Sequence, residues 1–156
     1  ERADAEAIRA IYNVEVAGST VTFDLVPRSL GEQIAWIEQH AGGHPAVVAV
    51  DEVGEIVGFG SLSPYKERPA YRTTVEDSVY VHADHQGRGV GRLLLDALVD
   101  TARAHGFHAV MARIVADHEA SIALHAVCGF EVVGHEREVG RKFGRWLDVT
   151  LMERLL

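Results

Sequence analysis

Three glycines in five residues, set between a strand pattern and a helix pattern, constrain this chain more than any other feature. From Tyr71 to Arg92 the sequence reads YRTTVEDSVYVHADHQGRGVGR. Val75, Asp77, Val79 and Val81 alternate with Glu76, Ser78 and Tyr80, the period of a two-faced strand. Gln86-Gly87-Arg88-Gly89-Val90-Gly91 follows, and an amphipathic helix begins at once. Such a segment is either an ordinary Gly-rich turn or an anion cradle. In a cradle, backbone N–H groups converge at the positive end of a helix dipole and favour a phosphate or pyrophosphate. The spacing excludes two named cradles. Gly87, Gly89 and Gly91 lie two apart, which is not G-x-G-x-x-G, and no Gly-Lys-Ser/Thr follows to make a Walker A loop.

With 156 residues the chain is long enough for a substantial core, and 47% apolar with 24% charged residues is ordinary for a soluble globular domain. A formal net charge of −8 argues against nucleic acid or an anionic membrane as the main partner. Arg88 and Arg92 remain as a local basic pair for a small anion. The lone cysteine, Cys128, rules out an internal disulfide and fits a cytoplasmic location. No apolar run approaches the roughly 20 residues of a membrane span, and no signal peptide is visible.

Along the chain, Ala7, Ile8, Ile11, Tyr12 and Val16 predict a helix over residues 4–17. Residues 19–23 form a short β-prone connection. Ser29 caps a second helix over about 30–41. Strands follow at 46–50 and 56–63 around a hairpin turn, then an exposed loop, PYKERPAYR, at 64–72. The central strand covers about 73–82. The long helix covers about 89–105, with Val90, Leu93, Leu94, Leu98 and Ala102 on its apolar face. A strand at 107–115, a short helix at 118–128 and a strand at 130–139 come next. A turn at Gly140-Arg141-Lys142 leads to a last strand, 143–152. The pattern is α/β, one domain over 1–156, with a mixed central sheet and helices on both faces.

Beside an anion cradle, a carboxylate or histidine that reaches the bound group can serve as a base or a proton donor. Glu76, mid-strand just ahead of the glycine loop, is a candidate base. Its ordinary reading is a solvated sheet-face residue or a partner for Arg72. His118, Ser121 or Ile122, and His125 share a helix face, so His125 either points into a cleft or packs as an ordinary histidine. The nine histidines show no tight ligand spacing, and no metal site is expected. Cys128 reads as a small buried residue rather than a nucleophile. Trp36, Phe23 and Tyr80 read as core.

The strand carboxylate followed by [Gln/Arg]-x-x-Gly-x-Gly resembles the GNAT acetyltransferases. Further pieces resemble one subgroup, the phosphinothricin / methionine sulfone N-acetyltransferases: Ile11-Tyr12-Asn13, Ser19 to Phe23, Arg68 with Tyr71, Thr74 to Val81, Ala120-Ser121 through His125 to Phe130, and Val139 to Asp148. They run in order over about 140 residues. The resemblance implies the GNAT fold, acetyl-CoA as co-substrate, and direct transfer to the α-amine of a small amino-acid-like acceptor in a ternary complex. It implies Glu76 as the base acting through a water and His125 as the proton donor to the thiolate. The cofactor would be held by Val79, Tyr80, Val81, Gln86, Gly87, Arg88, Gly89, Val90, Gly91, Arg92, His118, Ser121 and Val127. Phe23, Lys66, Arg68, Tyr71, Arg72 and Thr74 would line the acceptor pocket, with Arg68 or Arg72 on the acceptor's acid group. A homodimer is implied, as is a strand ahead of residue 1. His118 stands where the family usually has Asn, so weaker or rearranged cofactor contact is expected there. Other small amines or polyamines as acceptors, a non-catalytic acetyl-CoA-binding module and a nucleotide-binding protein are the competing readings.

Overall fold

A computed structural model describes residues 1–156. Helix α1 (Ala5–Gly18) buries Ile8, Ile11, Tyr12 and Val16, the stripe that its 3.6-residue period sets on one face. Helix α2 (Leu30–Gln39) starts at a capping box. Ser29 Oγ accepts from the Glu32 N–H at 3.3 Å, and the Glu32 carboxylate accepts from the Ser29 N–H at 2.7 Å. Strands β1 (Ala46–Val50), β2 (Ile56–Pro64) and β3 (Thr74–Val81) form an antiparallel run. Helix α3 (Val90–Ala104), β4 (Ala109–Val115), α4 (Glu119–Val127), β5 (Glu131–Lys142) and β6 (Arg145–Leu155) complete the chain. The six-stranded sheet has the order β1-β2-β3-β4-β6-β5, and only β3 and β4 run parallel.

Helices cover both faces, as the pattern required. On one, α1 and α2 pack Ile8, Tyr12, Trp36 and Ile37 against Phe59 and Tyr80. On the other, α3 packs Leu95, Leu98, Val99 and Ala102 against Leu62, Val75, Val110 and Met152. Each such leucine contributes about 1.5–3 kcal/mol on burial, far more than helix propensity supplies. Gly60 lets α3 sit this close, because a Cβ there would lie 2.9 Å from Leu98 Cδ1 and 3.0 Å from the Ser78 carbonyl.

The parallel ladder between β3 and β4 is short. It holds only Thr74↔Ala109, Val75↔Val110 and Glu76↔Met111. Meanwhile β2 follows β3 to Val81, and β6 follows β4 to Val115. From Asp77 onward the two central strands therefore part and leave a wedge between them.

Residues 19–23 are a connection, as expected, and hydroxyls tie it to α1: Ser19 Oγ donates to the Glu15 carbonyl and Thr22 Oγ1 bonds Tyr12 Oη at 2.8 Å. Three expectations need correction. Leu93 is 65% exposed; Leu95 and Val99 join Leu94, Leu98 and Ala102 in the buried stripe instead. The strand expected from 107 starts at Ala109, since the Phe107 N–H is spent on the α3 carbonyl of Ala102. The turn expected at 140–142 lies instead at Phe143-Gly144, both with positive φ (52° and 73°), so β6 starts at Arg145. Strand β5 persists because buried Lys142 donates from Nζ to the Thr22 carbonyl at 2.9 Å, pinning the strand's end beneath the loop after α1.

Candidate active site

The wedge is the site. Its cavity of about 340 Å³ is lined by β3 from Asp77 to Val81, β4 from Ala112 to Val115, Glu15 and Val21 beside α1, and His118, Ser121 and His125 of the α4 region. A second cavity of about 320 Å³ continues it toward the glycine loop, lined by Val79, Val81, Gln86, Gly87, Gly89, Gly91, Arg92, His118, Ala120, Ser121 and Leu124. The two share Val79, Val81, Gln86, His118 and Ser121, so together they make one groove across the sheet.

Strand parting supplies the groove with backbone donors and acceptors. The His82 N–H donates to Val57 across the β2 ladder. By antiparallel alternation Tyr80 and Ser78 also face β2, while Val79 and Val81 turn their N–H and C=O toward the wedge. Gln86 Nε2 donates to the Val81 carbonyl at 3.2 Å and so ties the glycine loop to the strand. In the loop Gly87 (φ 71°) and Gly89 (φ 84°) occupy the left-handed region, and Gly89 is the N-cap of α3. The N–H groups of the first helical turn stay open to an anion. Gly91 lets α4 close over the helix start, since a Cβ there would lie 3.1 Å from Leu124 Cδ2.

Glu76 lies beside the closed end of the wedge, at the last β3–β4 pair, without lining the cavity itself. Burial pushes its carboxyl up to about 6, against the opposing charge of Arg113; Asp77 and Glu136 add smaller upward pushes. Asp77 points to the other face of the sheet. Its Oδ2 lies 3.0 Å from His125 Nε2, while His125 Nδ1 donates to the Ser121 carbonyl at 2.7 Å. Burial alone would lower the His125 pKa, but the hydrogen bond and charge of Asp77 and the Ser121 carbonyl outweigh it, and the net direction is upward. His118 at the start of α4 is pushed the other way, because burial lowers it more than Glu15 and Asp117 raise it.

Of the residues singled out in the sequence, Val79, Tyr80, Val81, Gln86, Gly87, Gly89, Gly91, Arg92, His118, Ser121 and His125 line the groove. Arg88 and Val127 are exposed and are not among the lining residues, and the Val90 side chain packs into the core with Ala49, Val57 and Leu94. The acceptor candidates are not brought to these cavities. Lys66 lies over the Tyr65 and Tyr71 rings, Arg68 and Arg72 are exposed, and Thr74 opens β3 two residues before Glu76. Phe23 lays its ring on Gly140, where a Cβ would collide with it. Asp77, Arg113 and Glu15 were not singled out. An alternation of aspartate with valines on the strand's core face was the one available signal, for Asp77. No group of three or more His, Cys, Asp or Glu side chains converges as a metal site, and no helix is long and apolar enough to cross a membrane.

Comparison with known proteins agrees with this geometry. The profile described as Acetyltransferase (GNAT) family matches residues 8–130. The chain is 43% identical over 152 residues to an L-methionine sulfoximine/L-methionine sulfone acetyltransferase of Pseudomonas aeruginosa, covering 97% of this chain and 88% of that one. A crystal structure of a phosphinothricin acetyltransferase from Sinorhizobium meliloti in complex with acetyl-CoA superposes with a TM-score of 0.93 at 39% identity, covering 100% of this chain and 85% of that one. A ribosomal-protein-alanine N-acetyltransferase structure from Brucella melitensis superposes with a TM-score of 0.97 at 39% identity, covering 100% and 96%. With the family profile spanning residues 8–130 and relatives matching along nearly its whole length, the chain belongs to the GNAT family of acetyltransferases.

Proposed function

We propose that residues 1–156 form one acetyltransferase domain that moves the acetyl group of acetyl-CoA to the α-amine of a small, acid-bearing, amino-acid-like acceptor of the methionine sulfone, methionine sulfoximine or phosphinothricin type. The observation that carries this reading is the wedge: a carboxyl raised to about 6 at its closed end, and unpaired strand backbone running from there to an anion-binding helix start. Relatives with those acceptors in their names, at about 43% identity over almost the whole chain, support it.

In this mechanism the pyrophosphate rests on the N–H groups of Gly87 through Arg92, and the pantetheine arm pairs with Val79 and Val81 as a missing strand would. Glu76 takes the amine proton through a water. The amine nitrogen attacks the thioester carbonyl, and the Val79 N–H stabilises the oxyanion. The carbon–sulfur bond then breaks and the thiolate leaves. His125 is the proton donor to the thiolate; both its ring nitrogens face acceptors, so it gives up a proton only when one of those hydrogen bonds opens.

A second copy of the chain is the proposed partner. Val132, Val133 and Val139 of edge strand β5, Trp146 of the adjacent β6 and Phe143 of the turn between them are all at least half exposed, apolar side chains that a second copy would cover. Light scattering after gel filtration tests it; a monomer at micromolar concentration counts against it. The lone buried Cys128 supports a reducing, cytoplasmic setting.

Thiol release from acetyl-CoA across a panel of acceptors tests the function. The panel holds methionine sulfone, methionine sulfoximine, phosphinothricin, plain amino acids, a polyamine and an Ala-initiated peptide. Turnover confined to the first three is expected. The Brucella relative favours the peptide as second reading, and turnover with the peptide alone would replace the first.

A further inference from the structure

The closed end of the wedge carries one more charged device. Arg113 of β4 and Glu136 of β5 form a two-pronged pair, with Nη2 2.7 Å from Oε2 and Nη1 donating to Oε1 at 3.3 Å. Sheet register places both on the face that bears Glu76. Met111 pairs with Glu76, Arg113 is two residues further along β4, and Val115 and Glu136 both pair with Val149. Arg113 also lines the wedge cavity with Asp77 and Ser78, and its charge reaches Glu76. Of the arginines and lysines, it alone lines that cavity.

The pair is exchangeable. The Arg113 and Glu136 side chains are 34% and 32% exposed, and an ion pair that wet contributes at most about 1 kcal/mol. The guanidinium fork fits any carboxylate or phosphinate in the same geometry. An α-amino acid bears its amine and its acid on one carbon, so an acid held at Arg113 leaves the amine beside Glu76.

We propose that Arg113 is the receptor for the acceptor's acid group, with Glu136 as the counter-ion it holds between turnovers. Arg113 then selects acid-bearing amines over plain ones; exposed Arg68 and Arg72 do not line that cavity. The assignment rests on the acceptor class proposed above and deepens it.

Steady-state thiol release with methionine sulfone and with its decarboxylated amine tests the assignment, for the wild type, Arg113→Met and Glu136→Gln. Arg113→Met is expected to raise KM for methionine sulfone about 10- to 100-fold, the worth of a charged hydrogen bond, leaving KM for acetyl-CoA and for the decarboxylated amine unchanged. Glu136→Gln removes the competitor, so its KM for methionine sulfone should fall a few-fold; this opposite sign holds even if Arg113→Met folds poorly. Equal effects of Arg113→Met on both acceptors would overturn the assignment, as would a weaker methionine sulfone interaction in Glu136→Gln. A changed pH profile without acceptor discrimination would do the same, by showing that Arg113 acts on Glu76 alone. Wild-type turnover confined to amines without an acid group overturns the acceptor class as well. Wild-type turnover of methionine sulfone with no response in either variant overturns Arg113 only.

Discussion

Asp77 Oδ2 sits 3.0 Å from His125 Nε2, while His125 Nδ1 faces the Ser121 carbonyl at 2.7 Å, so both ring nitrogens look at acceptors. A neutral imidazole has one N–H and satisfies only one of them; the imidazolium satisfies both. Both side chains are almost fully buried. The folded-state pKa of His125 is raised, so its contribution to stability is fully present below about 6.5, the unfolded value, and is lost as pH rises through the folded value. Asp77→Asn leaves this histidine without its counter-charge and should cost about 3 kcal/mol at pH 6. In urea titrations at pH 6 and pH 9 the gap between wild type and variant should narrow at the higher pH. A constant gap would mean that the pair is not charged.

Glu76 carries the opposite sensitivity in catalysis. Its carboxyl is raised to about 6 by burial, so the base is protonated and idle below that pH. The acid limb of kcat/KM should bend near pH 6. Glu76→Gln should lower kcat by about 10²- to 10⁴-fold at pH 7.5, remove that limb and spare the acetyl-CoA KM. Ionising a group raised in the folded state costs stability above the folded pKa. Glu76→Gln should therefore be more stable than wild type at pH 8, on the order of 1 kcal/mol after solvent screening, and no more stable at pH 4. A variant that loses activity and stability together would place Glu76 in the scaffold instead.

Gly60 of β2 gives a purely structural test. The Cβ of Gly60→Ala would meet Leu98 Cδ1 at 2.9 Å and the Ser78 carbonyl at 3.0 Å. Leu98 is completely buried, so α3 has to move. A loss of about 1–3 kcal/mol is expected in urea unfolding. Because α3 also presents the glycine loop, KM for acetyl-CoA should rise while KM for the acceptor stays. An unchanged unfolding midpoint would show that the helix is held less tightly than its contacts imply.

The strand–loop–helix unit was legible because its signals are local. Alternation around Glu76 and the spacing of Gly87, Gly89 and Gly91 depend on neighbours within a few residues. Leu93 was misplaced because Leu93 and Leu95 flank Leu94 at equal angles on the helix, and periodicity alone does not decide which of the two is buried. Lys142 looked like a turn residue because its partner, the Thr22 carbonyl, lies 120 positions away. Arg113 and Glu136 were invisible for the same reason. Their meeting follows from the register of two strand pairs, β4–β6 and β5–β6, and β3–β4 brings Glu76 to the same face; no local pattern encodes register between distant strands. Asp77 stood in plain view on an apolar alternation, yet its partner His125 is 48 residues on.

His118 joins stability to cofactor binding in one substitution. It precedes α4 at the N-cap, where its side chain makes no capping hydrogen bond, and it lines both cavities of the groove. Asn is among the best N-cap residues; its amide oxygen can accept from the open N–H groups of the first turn of α4. His118→Asn should therefore stabilise the protein by about 1 kcal/mol. The amide N–H₂ remains a donor toward the pantetheine arm, and the imidazole bulk is gone from the groove. KM for acetyl-CoA should fall several-fold with kcat nearly unchanged. Thermal melts with and without acetyl-CoA separate the two effects: capping raises the midpoint of the free protein, and better contact widens the ligand-induced shift. A raised midpoint with an unchanged shift would leave His118 as a poor cap and nothing more.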